Sequence, residues 1–343
     1  MKSTITCVVL SLLLVFAFIQ QPSQGQGAGQ AGQKPPTTTV APDIPGVVKG
    51  GTVVEVFERD RTQSTEGPNR LPDGSLIFSE RPSNRITKID KDNKFSVFIE
   101  NSTGAQGMAW DSKGNLVATM VLPEDTAMNV SVIYPKGQER ILADRFGANH
   151  LTRPNDLVIT KSDGIYFTDP GREKMPPHKS GMPNPWLPAS LYYMPPGWKE
   201  LKRVSLGEID SMNGLILSPD ERTLYVNDTS TDPGEGGYIV AFDVLPDGRL
   251  ANRRNFAQYQ ANQNGQRDRG DGMAMDSEGR VYACTQGGWQ VFSPQGAFLG
   301  RIPTFGNVQN AAFAGPDRKT LYGVGGGIVY KVQMLSSGHA RGR

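Results

Sequence analysis

The chain has 343 residues, enough for one large domain or two smaller ones with a substantial buried core. Its 36 basic and 34 acidic residues leave a formal charge of +2, which gives no electrostatic reason to expect nucleic acid as a partner. The 40 glycines and 25 prolines are many for a helical protein. They favour short strands that are joined by tight turns.

The N-terminus is predicted to be an export signal. Residues 1–2 carry a positive charge, and residues 8–19 form an apolar run that is shorter than the roughly 20 residues of a membrane span. We expect residues 1–25 to be a signal peptide and the protein to be periplasmic or secreted, with no membrane segment beyond the signal. An uncleaved N-terminal anchor is the alternative. Residues 26–45 are rich in Gly, Gln, Pro and Thr and are predicted to be a disordered linker.

One unit recurs along the rest of the chain. An apolar segment leads into a turn of the Asp-Gly kind, and a second strand returns from that turn. The second strands are LIFSE at 76–80, LVATM at 116–120, IYFTD at 165–169, LYVND at 224–228, VYACT at 281–285 and LYGVG at 321–325. A third strand follows most of them. Cys284, the cysteine outside the signal, lies in one of these strands and is expected to be a buried, inert thiol.

Short antiparallel strands that repeat about every 40–60 residues are typical of β-propeller blades. The sequence therefore predicts an all-β fold over residues 46–335: a six-bladed β-propeller in which each blade is a four-stranded antiparallel sheet. Residues 51–57 alternate as a strand before the first complete unit, and we expect them to close the ring as the outermost strand of the last blade. Residues 336–343 are predicted to be a C-terminal tail. A β-sandwich is the structural alternative, but it does not explain why the turn recurs at one phase.

The residues that begin the inner strands are expected to lie near the central channel. All six carry side-chain oxygen, and two are carboxylates, which suits Ca²⁺ or Mg²⁺ better than Zn²⁺. A metal site in the channel is therefore predicted, with Ca²⁺ as the expected ion and Mg²⁺, Mn²⁺ or Zn²⁺ as alternatives. The six residues are Glu66, Gln106, Asn155, Asn213, Asp271 and Asn310.

Several of these positions belong to longer motifs, and together the motifs resemble one family. They are EGP at 66–68, RPND at 153–156, IYFTDP at 165–170, NGL at 213–215, LYVND at 224–228 and DGM at 271–273. The chain resembles the SMP-30/gluconolactonase/LRE-like family, six-bladed calcium-dependent lactonases, over roughly residues 50–335.

The resemblance implies a site and a reaction. It implies that the metal ligands are Glu66, Asn155, Asn213 and Asp271. It also implies that Asp271 acts as the general base and that Arg153 contacts the substrate. The expected activity is a hydrolase acting on carboxylic ester bonds, which opens a sugar lactone such as gluconolactone to the aldonic acid. The expected partner is therefore a small-molecule lactone.

Other interpretations of the same residues remain open. Glu66 is turn-prone in Glu-Gly-Pro, and the two asparagines are residues that commonly bond to backbone at strand ends. Asp271 has Arg267 and Arg269 nearby in sequence as possible ion-pair partners. For function, the alternatives are a related propeller that cleaves another ester or an organophosphorus substrate, and a non-catalytic exported propeller with a structural metal. The loop 171–189, with His178 and Trp186, is a candidate lid, and His150 is a candidate for proton transfer.

Overall fold

Apolar alternation and glycine-containing turns give this chain a succession of short antiparallel strands. The computed structural model describes residues 38–340 except 61–62, 122–127, 172–187, 207–208, 210, 231–236, 263–264 and 267. The predicted signal peptide, His178 and Trp186 lie outside the described residues. Export remains a prediction, which N-terminal sequencing of the exported protein would test. In the described part of the chain, no helix is long and apolar enough to cross a membrane.

The strands group into six small sheets in chain order. Two strands precede the first blade: β1 (Thr38–Val40) and β2 (Val53–Glu58). Blade 1 contains β3 (Thr65–Arg70), β4 (Leu76–Glu80), β5 (Arg85–Ile89) and β6 (Phe95–Glu100). Blade 2 contains β7 (Ala105–Trp110), β8 (Leu116–Val121), β9 (Met128–Tyr134) and β10 (Arg140–Ala143), and the hairpin of β11 (Arg145–Phe146) and β12 (Asn149–His150) follows it.

The remaining blades repeat the same order. Blade 3 contains β13 (Leu157–Ile159), β14 (Ile165–Asp169), β15 (Ser190–Met194) and β16 (Lys202–Leu206). Blade 4 contains β17 (Met212–Leu217), β18 (Thr223–Asp228), β19 (Tyr238–Val244) and β20 (Leu250–Gln258). Blade 5 contains β21 (Met273–Met275), β22 (Val281–Thr285), β23 (Gly288–Phe292) and β24 (Phe298–Pro303). Blade 6 contains β25 (Asn310–Ala314), β26 (Thr320–Gly325) and β27 (Ile328–Gln333).

The six-bladed propeller is confirmed, including the way in which the ring closes. The first strands of neighbouring blades contact one another in sequence, and β25 of blade 6 contacts β3 of blade 1. The strand expected near residues 51–57 is β2, which pairs with β27 and adds the fourth strand to blade 6. Each predicted second strand matches an observed one to within one residue.

The predicted linker extends too far along the chain. Strand β1 pairs with β2 as a fifth, outermost strand of blade 6, so β2 is not the edge. Ala41 and Ile44 are buried in the apolar layer that blades 5 and 6 share. Composition hid this because most residues before position 38 are small or polar, whereas a strand of three residues and two apolar anchors are enough to dock the segment. The propeller therefore begins before residue 46.

The core is divided into layers between the blades. Each buried apolar cluster of the described residues joins strands of two neighbouring blades. Between blades 5 and 6, for example, the fully buried Trp289 packs edge-on against Tyr330, with ring centroids 6.3 Å apart. Cys284 is free and buried in the same layer. Because this packing lies between the sheets, the start of each inner strand is left to face the channel.

Candidate functional site

The inner strands of blades 1, 2 and 4 are irregular at the predicted site residues. The strand register shifts between Glu66 and Asn69 in blade 1, and between Met212 and Leu215 in blade 4. A similar shift in blade 2 contains Gln106. A β-bulge interrupts the alternation of a strand and changes the direction of a side chain, and bulges are common next to active sites. The irregularities therefore coincide with the polar ring that the sequence predicts.

Blades 3 and 5 reach the same arrangement by starting their inner strands later. The backbone N–H of Asn155 donates to the Thr168 carbonyl at 2.8 Å, although β13 begins only at Leu157. The N–H of Asp271 donates to the Cys284 carbonyl at 2.9 Å in the same way. Both residues are thus held by backbone bonds to the second strand of their own blade, at the end of the strand that faces the channel.

Glycine follows the site residue in blades 1, 2, 4 and 5, and the next blade packs directly against it. A Cβ at Gly67 would lie 2.1 Å from the Gln106 carbonyl oxygen. A Cβ at Gly214 would lie 2.3 Å from the Asp271 carbonyl oxygen. No side chain fits at such distances, so glycine allows the six inner strands to converge closely enough to form one site.

Second strands support the site residues of the following blade. The Thr119 hydroxyl of blade 2 donates to the Asn155 carbonyl at 2.6 Å. The Thr168 hydroxyl of blade 3 donates to the Asn213 carbonyl at 2.7 Å. These bonds involve the backbone carbonyls of both asparagines and not their side-chain amides, and the Asn213 amide bonds instead to the Asp271 carboxylate.

A side chain of a second strand also holds the backbone of Asp271, and a further side chain supports the first one. The Asn227 side-chain amide of blade 4 donates to the Asp271 carbonyl, and the Tyr259 hydroxyl donates to the Asn227 side-chain oxygen. Gly270 is required beside this pair, because a Cβ there would lie 1.9 Å from the Tyr259 hydroxyl oxygen. Tyr259 and Asn227 therefore fix the backbone position of Asp271.

Three carboxyl groups, those of Glu66, Asp156 and Asp271, lie in one part of the channel, and the charge of Asp156 raises the pKa values of the other two. Burial raises the pKa of Asp271 to about 7; the Asp156 carboxylate adds to the rise, while Arg153 and the Asn213 amide oppose it. Burial raises the pKa of Glu66 well above its usual value, and the charges of Asp271 and Asp156 raise it further. Glu66, Asn213, Asp271 and Arg153 are therefore brought into one electrostatic neighbourhood.

Asp156 is a site residue that sequence reasoning missed. Its Oδ1 accepts from the Leu157 N–H at 2.9 Å and its Oδ2 from the Asn310 amide at 3.3 Å, while the same amide donates to Glu66 at 3.3 Å. Burial raises the pKa of Asp156 to about 6. The repeat could have revealed Asp156. Four other blades have glycine directly after the site residue, and blade 3 has a charged residue there instead.

Arg153 lies at the edge of this group and is partly exposed. The buried Asp169 carboxylate holds the turn before it, accepting from the Thr152 N–H at 2.7 Å and from the Arg153 N–H at 2.9 Å. His150, by contrast, is exposed in the β11–β12 hairpin, where it pairs with Arg145. Nothing in its position supports proton transfer at the channel.

The channel chemistry fits a hard divalent cation. In the described ranges, no three His, Cys, Asp or Glu side chains are grouped to hold a metal by themselves. A cation here has to use amide oxygens together with carboxylates, which is the ligand mixture that Ca²⁺ accepts. The side-chain oxygen of Gln106 is buried and has no hydrogen-bond partner among the described residues. An unpartnered buried oxygen at the same phase of the repeat as Glu66 and Asp271 is the donor chemistry that a cation would satisfy.

The raised pKa values predict how metal-free protein responds to pH. A carboxyl whose folded pKa exceeds its unfolded pKa holds extra protons when folded, so its stabilising contribution is present at low pH and is lost as the pH rises. With folded values of about 6 for Asp156 and about 7 for Asp271, metal-stripped protein should lose stability between about pH 4 and pH 7. Thermal denaturation across that range measures the loss.

The matched comparison is the same series with saturating Ca²⁺, where the cation should flatten the decline. Asp156→Asn should flatten it in the stripped protein as well, because one of the repelling carboxylates is removed. Identical pH profiles for stripped and loaded protein would show that these carboxylates do not face a common cation.

Comparison with known proteins agrees with this architecture. Residues 64–324 match the family described as the SMP-30/Gluconolactonase/LRE-like region. A gluconolactonase from Zymomonas mobilis is 29% identical over 280 residues, which cover 77% of this chain and 76% of that protein. The solved structure of a gluconolactonase from Xanthomonas campestris superposes with a TM-score of 0.68 at 27% identity, covering 88% of this chain and 95% of that one.

A regucalcin from Agrobacterium tumefaciens, described as calcium-binding, superposes with a TM-score of 0.61 at 15% identity and covers 84% of this chain and 96% of that one. At that identity the likeness concerns the fold alone. The family match, by contrast, spans the motifs around all the predicted site residues. The chain therefore belongs to the SMP-30/gluconolactonase/LRE-like family.

Proposed function

We propose that this protein is a metal-dependent lactonase that opens a sugar lactone such as gluconolactone to its aldonic acid. Family membership and the lactonase names of its relatives support the lactone-hydrolysing activity. One observation carries the proposal for this channel: the half-buried Asp271 shares its surroundings with Arg153, Asn213 and Glu66. A proton acceptor, a cationic hydrogen-bond donor and hard oxygen ligands are thereby available to one small substrate.

Glu66, Asn155, Asn213 and Asp271 would hold the cation, and Ca²⁺ is the ion that their mixed carboxylate and amide oxygens suit best. A bound divalent cation supplies a Lewis acid for the ester carbonyl and for the charge that develops on its oxygen. Asn155 and Asn213 are suited to a fixed position, since threonine hydroxyls hold their backbone carbonyls at 2.6 Å and 2.7 Å. The protein's contribution is therefore a preorganised set of oxygens.

The remaining steps belong to the side chains. Asp271, as a carboxylate, accepts a proton from the water that attacks the lactone carbonyl carbon. The ring C–O bond then breaks, and the same proton passes to the departing alkoxide oxygen, so the product is the open hydroxy acid. Arg153 donates hydrogen bonds to a hydroxyl or ring oxygen of the substrate and holds it in place. A guanidinium has donors only, which suits the oxygen-rich surface of a sugar lactone.

The direct test is hydrolysis of glucono-1,5-lactone by metal-stripped and metal-restored protein. We expect stripping to remove the enzymatic rate above spontaneous hydrolysis, because the lactone carbonyl then loses the Lewis acid that polarises it. Adding Ca²⁺ should restore the rate. The other divalent cations, Mg²⁺, Mn²⁺ and Zn²⁺, are compared at equal concentration. Each sample's circular dichroism spectrum reports whether the fold survives stripping.

Turnover that is unaffected by metal removal would contradict the proposal. Absence of turnover in the loaded protein, combined with a melting temperature that falls on stripping, would instead support a propeller with a structural metal. Hydrolysis of other esters but not of lactones would show that the substrate is another ester, and the assigned site residues would stay the same.

A further inference from the structure

We propose that Gln106 supplies its side-chain oxygen as an additional ligand to the channel cation. The inference rests on the proposed function, since it concerns the same cation. It extends the ligand set to blade 2, which the family resemblance leaves without a role. Gln106 is uncharged, and its blade lies between the blades of Glu66 and Asn155.

The position of Gln106 follows from its neighbours on both sides. Its own carbonyl oxygen lies against Gly67, directly after Glu66, at 2.1 Å from where a Cβ would stand. The next residue, Gly107, donates its N–H to the Asn155 carbonyl at 3.2 Å. Gln106 therefore occupies the register position between two predicted ligands, at a bulge of the same kind as the one that contains Glu66.

The state of its oxygen points to a cation. Gln106 is only 5% exposed, and its Oε1 has no solvent contact and no hydrogen-bond partner in the part of the chain that is described. A buried amide oxygen left in this state is costly, and native proteins rarely tolerate it without a compensating partner. A partner is therefore to be expected at this oxygen.

Position favours a cation as that partner. Gln106 lies at the phase of the repeat that Glu66, Asn155 and Asn213 occupy in their own blades. Amide and carboxylate oxygens together are the ligands that Ca²⁺ accepts. The cation proposed for those residues is therefore the partner that we assign to the unpartnered oxygen of Gln106.

A neutral ligand also suits the charge balance. Glu66 and Asp156 are both buried, and the Asn310 amide donates to each of them at 3.3 Å, so a further carboxylate would add repulsion when the cation is absent. An amide oxygen raises the coordination number without adding negative charge. Gln106 is longer than the asparagines of blades 3 and 4, which gives its oxygen a greater reach from the bulge.

The test compares Gln106→Met with the wild-type protein. Methionine keeps the length and approximate volume of glutamine but replaces its amide by an apolar thioether. Calorimetric titration of metal-stripped protein should show Ca²⁺ affinity lowered by about 10-fold or more, a loss of the size that ligand-sphere changes commonly cause. The melting temperature of the stripped variant should equal or exceed that of the wild type, because an unsatisfied buried oxygen is gone.

Gln295→Met is the matched control, since the exposed Gln295 lies in a turn of blade 5 and should leave both readouts unchanged. Gln106→Ala is the second variant and should weaken Ca²⁺ binding similarly without any demand for space. Unchanged Ca²⁺ affinity in both Gln106 variants would overturn the inference. A second result would also overturn it: stripped variants that melt at a lower temperature than the stripped wild type, but whose melting temperature rises by the same amount on adding Ca²⁺. That pattern marks a purely structural residue.

The inference can fail separately from the proposed function. If the wild-type protein binds no divalent cation, the metal-dependent function itself fails. If the wild type binds Ca²⁺ and hydrolyses lactone, and Gln106→Met binds Ca²⁺ equally well, only the role of Gln106 is lost.

Discussion

Replacing Asp271 by asparagine should lower the rate of lactone hydrolysis by a factor of about 10²–10⁴, the range expected when a general base is removed. The substitution keeps the shape of the side chain and its amide oxygen but removes the carboxylate that accepts the proton. Its backbone contacts, the bonds from Asn227 and to Cys284, do not depend on the carboxylate, so the fold should persist. Initial rates at saturating Ca²⁺ measure the effect.

Metal affinity must be measured alongside, because Asp271 is proposed both as ligand and as base. Calorimetry gives the Ca²⁺ concentration that saturates the variant, and rates are compared at that concentration. Asp92→Asn is the matched control: Asp92 is exposed and its carboxylate pairs with Lys91. A loaded Asp271→Asn enzyme within about threefold of the wild-type rate would exclude Asp271 as the base.

Gly214→Ala should destabilise the whole propeller, by at least about 2 kcal/mol, because it overpacks the contact between two inner strands. The added methyl would stand 2.3 Å from the Asp271 carbonyl oxygen and 2.6 Å from the Gly272 Cα, both of which are backbone atoms of the neighbouring blade. Relief requires blades 4 and 5 to separate, which moves Asn213 away from Asp271. Denaturant unfolding and Ca²⁺ titration should therefore both record a loss.

Gly287→Ala provides the control, since its methyl would meet only the end of the Arg301 side chain, at 3.4 Å. Neither glycine has a left-handed backbone, so the comparison isolates the close approach from conformational strain. If the two variants prove equally stable, the inner strands do not need to converge at Gly214.

Much of the fold could be predicted because each blade repeats a local pattern. Strands such as LIFSE and IYFTD match β4 and β14, since apolar alternation and a glycine turn act within a few residues of each other. The N-terminal boundary was wrong for the opposite reason. Strand β1 is stabilised by pairing with β2 and by burial against blades 5 and 6, and neither partner is visible in the local composition.

The candidate site divides in the same way. Glu66, Gln106, Asn155, Asn213, Asp271 and Asn310 could be selected from the sequence because they share one phase of the repeat. Asp156 was missed because its carboxylate is placed one residue out of that phase, and only the ring brings it to Asn310 of blade 6. The supporting bonds from Thr119 and Thr168 were invisible for the same reason, since each crosses from one blade to the next.

By itself, the sequence determined that the protein is a propeller of repeated four-stranded units, which polar residues lie at or near the start of its inner strands, and which family those motifs resemble. These features follow from local periodicity and from side-chain chemistry. Only the tertiary structure decided how closely the strands converge, which carboxylates repel one another and which buried oxygen lacks a partner. Those properties depend on distances between blades that are far apart in the chain, and closure of the ring sets them.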